Sequence, residues 1–235
     1  MLLKGLQLLI IFMTPFFLGL TTITLIISPA YPQYEYGRPN FPPDPYGLTQ
    51  AERLDLALTA VSYLERPEPA HQIVHLLENQ VLPGSSNPLY AQAELDHLID
   101  VKNLTDAIRR LAWAAGVVLV LSLARLVYRP ETRPLAYRVG MQGGLMTVMV
   151  LSGMIGVIVF GWPWFFTRFH ELLFPPGTWM FAGDTGLIRL FPEQFWFDFG
   201  AILSTAVLLE GMAVAATFFI IGSLSAVNKT HLREF

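Results

Sequence analysis

Four apolar stretches, residues 6–27, 111–127, 139–162 and 199–226, stand out from the rest of the chain. Crossing roughly 30 Å of hydrocarbon takes about 20 apolar residues at the helical rise, so each stretch predicts a transmembrane helix. The polar segments between them carry their own periodicity. Thr49 followed by Glu52 is a capping-box signature, and Leu54, Ala57, Leu58, Val61 and Leu64 then recur at helical spacing, which predicts a helix over 51–64. Further helices are expected over 71–81, ahead of the turn cluster Pro83-Gly84-Ser85-Ser86-Asn87-Pro88, and over 89–101. A proline-rich run at 31–45 stands apart from these helical stretches. After Trp162-Pro163-Trp164 closes the third span, Phe165, Phe166, Phe169, Leu172 and Leu173 form one helical arc and Thr167, Arg168 and Glu171 the other. That is the pattern of a short helix lying in the membrane interface.

Composition agrees with the pattern: 53% of residues are hydrophobic and only 14% charged, with a mean hydropathy of +0.48, far from an ordinary soluble domain. The formal charge of −3, with no clustered basic face, gives no reason to propose a nucleic-acid partner. The chain has no cysteine, which excludes a thiol nucleophile, a disulfide scaffold and a thiolate metal site. Any nucleophile comes from substrate, water or another side chain.

Orientation follows from lysine and arginine beside the spans: Lys4 before the first, Arg125, Arg129, Arg133 and Arg138 between the second and third, Lys229 and Arg233 after the fourth. These places are expected to be cytoplasmic, although Arg109 and Arg110 at the outer end of the second span run against the trend and would pair with lipid phosphates. The expected architecture is an all-α integral membrane protein with four transmembrane helices, a small extracytoplasmic cap and both termini cytoplasmic. It divides into a first transmembrane helix within 1–30, a cap segment at 31–110, spans at 111–127 and 139–162 joined by a cytoplasmic loop at 128–138, an interfacial segment at 163–198, the last span at 199–226 and a cytoplasmic tail at 227–235. Lys4 and an apolar run ending near Ser28-Pro29-Ala30 also outline a signal peptide. The apolar part is too long for a signal core and reads as a retained helix, with cleavage as the alternative.

Two histidines occupy the charged stretches that flank long apolar spans: His97, within Glu94-Leu95-Asp96-His97-Leu98-Ile99-Asp100, and His170, within Arg168-Phe169-His170-Glu171. Histidine titrates nearest physiological pH and suits proton transfer where water meets lipid. On a helix over 89–101, Tyr90, Glu94 and His97 share a stripe and Glu94 and Asp100 bracket the imidazole, positions from which either carboxylate orients it. An unbroken helix would lift His97 about 20 Å above Leu111, so a turn is expected between Asp100 and Asn103, with Asn103 capping a new helix. The competing readings are a surface hydrogen-bond network for His97 and an interfacial anchor for His170. His71 and His75 have metal-sharing spacing but no third ligand, so no metal is expected there. Glu210, inside the last span, is a functional candidate by location, or a structural group paired with Ser204, Thr147, Ser152 or another polar side chain of a neighbouring helix. Gly143, Gly144, Gly153 and Gly156 allow close helix packing or leave a lipid groove. No nucleophile elbow, phosphate loop or dinucleotide fingerprint is present.

At these residues the chain resembles a known family. Asn87-Pro88-Leu89-Tyr90, the block from Glu94 through His97 to Val101-Lys102, Phe169-His170-Glu171-Leu172-Leu173-Phe174 with Trp179, and Leu187-Ile188-Arg189-Leu190-Phe191-Pro192-Glu193-Gln194-Phe195-Trp196-Phe197-Asp198 are similar to blocks of the lipoprotein intramolecular transacylase (Lit) family. The likeness extends to span number and order, while 31–86 carries no family block and Asp184-Thr185-Gly186 departs from the usual pattern. The resemblance implies an enzyme of the bacterial cell membrane that moves the sn-2 acyl chain of a diacylglyceryl-cysteine lipoprotein onto the cysteine α-amine, giving a lyso-form lipoprotein. Its implied partners are the diacylated lipoprotein and membrane lipid, with no cofactor. It makes His97 and His170 the catalytic candidates, His97 as general base and His170 at the oxyanion or leaving oxygen, or the reverse. Tyr90, Lys102, Arg168 and Arg189 become candidates for oxyanion or headgroup contact. A metal-independent membrane hydrolase and a non-enzymatic lipid-binding or assembly protein are the alternatives.

Overall fold

The apolar runs become four long helices in the computed structural model, which describes residues 2–231; Arg233 and the side chain of Lys229 lie outside the described residues. All regular structure among these is helical: α1 (Leu2–Ile26), α2 (Ala30–Tyr36), α3 (Gln50–Glu65), α4 (Ala70–Ile73), α5 (His75–Glu78), α6 (Gln92–Tyr128), α7 (Arg133–Leu173), α8 (Gly186–Leu190) and α9 (Glu193–His231). Helices α1, α6, α7 and α9 are each long and apolar enough to cross a membrane. The chain packs as two compact units, one of residues 1–22, 110–156 and 202–235, the other of residues 23–109 and 157–201.

The first unit is held by small residues and interlocking apolar ones. Ile10, Leu119, Leu126, Ala136 and Val139 form a buried cluster flanked by Leu6, Met13, Phe17 and Leu123. Lipid tails are as apolar as leucine, so close backbone approach has to supply what water exclusion supplies elsewhere. Gly144 provides it: a Cβ there would fall 2.5 Å from the amide nitrogen of Ala215 and 2.6 Å from the carbonyl oxygen of Gly211. Gly143 lies as tightly against Thr14, whereas Gly153 and Gly156 meet nothing within 4 Å. Of the four glycines singled out in the sequence, the first pair makes the close packing and the second does not. Glu210 is paired structurally with Thr22, whose hydroxyl lies 2.9 and 3.0 Å from its two carboxylate oxygens.

The second unit holds every short helix. The Thr49–Glu52 capping box starts α3 as the sequence predicts. The helix expected over 71–81 is instead two single turns, α4 and α5, and the proline-rich run contains the unforeseen α2, in whose first turn Pro32 needs no amide partner. The larger correction concerns α6. No turn separates Asp100 from Asn103, since α6 runs unbroken from Gln92 to Tyr128. Lys102, Asp106 and Arg109 hold it together at i,i+4 and i,i+3 spacing, with Lys102 Nζ 2.6 Å and Arg109 Nη1 3.0 Å from the Asp106 carboxylate. At Trp162-Pro163-Trp164, where the sequence closes one helix and starts a short second one, the helical backbone of α7 is interrupted. Pro163 lacks an amide donor and its ring crowds the preceding turn, so the helix kinks at Gly161 (φ −143°, ψ 33°) and resumes to Leu173.

Replacing Gly144 with valine forces a branched side chain against backbone on both sides and should lower stability by about 1–3 kcal/mol, read as a depressed unfolding temperature in detergent or bicelles. Gly153→Ala, in open space, should leave that temperature within a degree or two of wild type.

Candidate active site

Within the second unit, α8 is the piece against which the others are set. Gly186 admits it, because a Cβ at that position would collide with the Leu89 carbonyl. The amide of Leu187 donates to Glu94 Oε1 at 2.7 Å, while Glu94 Oε2 accepts from the Ala91 amide at 2.8 Å. One buried carboxylate thus caps the start of α6 and satisfies the first turn of α8, the favourable place for a negative charge. Arg189 grips the buried Asp44, Nη2 to Oδ2 at 2.8 Å. Burial alone would raise the Asp44 pKa, but the hydrogen bonds from Arg189 and the Leu48 amide outweigh it and hold the group below its ordinary value. Arg53, itself buried, lies over Tyr36 and Phe41 at 5.1 and 5.2 Å and donates to the carbonyls of Arg189 and Pro42. Sequence reading passed over this residue, because periodicity places arginine on a solvated face.

The framework brings His97 and His170 together. His97 is 6% exposed, with its ring 4.8 Å from Phe174 and 5.6 Å from Phe181. His170 reaches the same Phe174 at 5.7 Å and packs on Phe166 at 4.1 Å and Trp179 at 4.9 Å. It can do so because α7 continues past its kink, so His170 comes to His97 and no return of α6 is required. The chain then reverses through Pro175-Pro176-Gly177-Thr178, where Gly177 takes a φ of 83° and the Thr178 amide bonds the Pro175 carbonyl. A proline followed by a glycine at positive φ is the type II turn signature. This turn returns Trp179 to His170.

The enclosure is aromatic, and that decides the charge state. Burial pushes the His97 pKa down to about 4, and the nearby His170 lowers it further toward that value. His170 is also lowered by burial, with the Phe166 carbonyl opposing. Near neutral pH both imidazoles are therefore uncharged. His170 Nδ1 lies 2.8 Å from the Phe166 carbonyl, which assigns the proton to Nδ1 and leaves Nε2 with its lone pair. His97 Nδ1 is buried with no partner.

The supporting candidates fare differently. Glu94 does not orient His97, since both its oxygens serve backbone amides, and no hydrogen bond joins Asp100 to His97. Lys102, fully buried, gives its ammonium to Asp106 and to the Arg66 carbonyl at 2.8 Å, closing the end of α3. Arg189 is committed to Asp44, and Arg168 forms an exposed pair with Glu171 at 2.6 Å. Tyr90 is buried with an unpartnered hydroxyl, raised by burial and by the Glu94 charge. His71 and His75 fall on separate turns, and among the described residues no three His, Asp or Glu side chains come close enough to hold a metal ion. A second cluster went unforeseen: Arg38 bridges Glu35 and Asp198, and burial together with Asp198 raises Glu35 to about 7 despite the arginine.

Four helices long and apolar enough to cross a membrane define the class, a multi-pass membrane protein. The model of the family described as lipoprotein intramolecular transacylase Lit matches residues 7–196, and the chain belongs to that family. It is 26% identical over 222 residues to an uncharacterized protein of Aquifex aeolicus, covering 91% of this chain and 93% of that one. Its fold is similar to the membrane-integral lipoprotein intramolecular transacylase Lit of Bacillus cereus, with a TM-score of 0.58 at 16% identity over 98% of both chains. A form of the same protein with one histidine replaced by arginine gives 0.60 at 14% identity, over 97% and 95% of the chains. The protein is thus a membrane acyltransferase whose substrate is a lipoprotein.

Histidine-selective NMR in bicelles should show the His97 imidazole neutral through pH 6 and titrating near pH 4. A midpoint at the ordinary value of about 6.5 would mean the ring is hydrated. Glu94→Ala should cost about 1–3 kcal/mol in thermal unfolding by orphaning the buried Leu187 amide and uncapping α6, without moving the His97 titration toward neutrality.

Proposed function

We propose that the paired imidazoles catalyse transfer of the sn-2 acyl chain from the glycerol of a diacylglyceryl-cysteine to the α-amine of that cysteine. The observation that carries the reading is the joint packing of His97 and His170 on Phe174 with both rings kept neutral. A neutral imidazole accepts a proton, and an amine attacking an ester has one to lose.

The geometry favours the reverse of the first order of roles. His170 has its proton on Nδ1 against Phe166, so Nε2 is placed to take the amine proton. His97 keeps its unpartnered Nδ1 buried, and carrying the ring proton on Nε2 avoids burying an unsatisfied N–H. The Nε2–H then serves as a hydrogen-bond donor to the tetrahedral oxygen, and its proton stays on His97 throughout. The amine nitrogen adds to the ester carbonyl, His170 receives its proton, the carbon to glycerol-oxygen bond breaks, and the proton passes to that oxygen. An amide and a free hydroxyl result, with total mass unchanged and no ATP or acyl carrier consumed. Holding amine and ester on one molecule in register supplies much of the acceleration.

The site faces the outer leaflet in this reading, with residues 31–110 and 163–198 forming an extracytoplasmic cap and both termini in the cytoplasm of a bacterial cell. The arginines of the loop at 128–138 support this orientation. Arg168 and the half-exposed Arg38 are suited to lipid phosphates. Lys102, Arg189 and Glu94 position the framework, and Asp100 and Tyr90 stand beside it.

Purified protein and a diacylated lipopeptide should suffice, with chelator present. Mass spectrometry should find an unchanged lipid mass with the acyl group on nitrogen. Loss of one acyl group would instead indicate a hydrolase, and no change a binding protein. His97→Ala and His170→Ala should each lower transfer by at least about 100-fold with expression retained, and His71→Ala and His75→Ala should stay within a few-fold of wild type.

A further inference from the structure

A tetrahedral oxyanion is best held by more than one donor, and the neutral imidazoles leave the site short of them. His170 offers a lone pair. His97 offers one N–H at most. Arg189 and Lys102 are turned to Asp44 and Asp106. The remaining donor belonging to a ring packed on either histidine is the indole of Trp179. Its ring lies 4.9 Å from that of His170 at an interplanar angle of 32°, and its Nε1 is buried without a hydrogen-bond partner.

An indole N–H left unpaired in an apolar setting is costly, and buried tryptophan ordinarily finds a partner for it. The Pro175–Thr178 turn delivers Trp179 to His170, where its ring packs on the imidazole. We infer that Trp179 is a further catalytic residue, its Nε1–H donating to the carbonyl oxygen of the migrating ester as that oxygen gains charge. The role rests on the acyl-transfer reading of the site. Tilted at 32° with ring centroids 4.9 Å apart, the indole and the His170 imidazole are direct neighbours, so that one group takes the amine's proton while the other holds the oxygen across the same carbon. The N–H is closed to solvent in the free protein, so water does not compete for it. No proton leaves the indole: it donates throughout, and the transferred proton moves only from amine through His170 to glycerol oxygen.

Trp179→Phe keeps an aromatic face for His170 and removes the donor. With a diacylated lipopeptide in bicelles, kcat should fall about 100-fold with KM within a few-fold of wild type. Replacing the indole by benzothienylalanine, isosteric and without the N–H, should reproduce that loss with an unchanged unfolding temperature, and 5-fluorotryptophan, a stronger donor, should restore or exceed wild-type kcat. Full activity in the benzothienyl variant overturns the proposal, since shape alone would then suffice. A loss carried by KM alone also overturns it, assigning Trp179 to substrate packing. These outcomes are separate from failure of the acyl-transfer reading, which would appear as no N-acylated product from the wild-type protein and would remove the donor role with it.

Discussion

Two imidazoles packed on a single phenylalanine ring cannot both be charged without water to solvate them. This constraint governs the site. Phe174 and Phe181 enclose His97, while Phe166, Phe174 and Trp179 pack on the half-buried His170, and desolvation lowers both pKa values and favours the neutral bases. Carboxylates beside the rings would have undone that by favouring the imidazolium. Glu94, one turn from His97, is instead spent on the amides of Ala91 and Leu187.

The polar framework is segregated from the aromatic site, and every buried charge in it has a partner. Arg189 meets Asp44, Lys102 meets Asp106, and Arg38 meets Glu35 and Asp198. Removing one member would strand the other in a low dielectric, which is why such pairs fix geometry whatever their net contribution to stability. Through them α8, only five residues long, locks the start of α6 to α3 and to the loop before it. The position of His97 is set by contacts several ångströms from its ring.

Much of this was legible in the chain. The four apolar runs, the Thr49 capping box and the two flanking histidines depend on local pattern, and local pattern survives folding. What escaped depends on neighbours. Asn103 has the chemistry of a helix cap, yet the Lys102–Asp106–Arg109 network and continuous packing keep α6 intact through it. Arg53 and Glu35 went unremarked because the Arg189 carbonyl that holds the first, and the Asp198 that Arg38 joins to the second, lie more than 130 positions away. Trp179 was visible as part of a family block, while its orphaned N–H appears only when the turn folds it onto His170.

The most direct measurement is a structure of the protein with a lipopeptide whose sn-2 ester is replaced by a phosphonate, a stable mimic of the tetrahedral intermediate. The account predicts a phosphonyl oxygen within about 3 Å of His97 Nε2, with the cysteine nitrogen at the same distance from His170 Nε2. A phosphonate seated away from both rings, with only acyl chain against Phe174, would contradict the two-histidine mechanism.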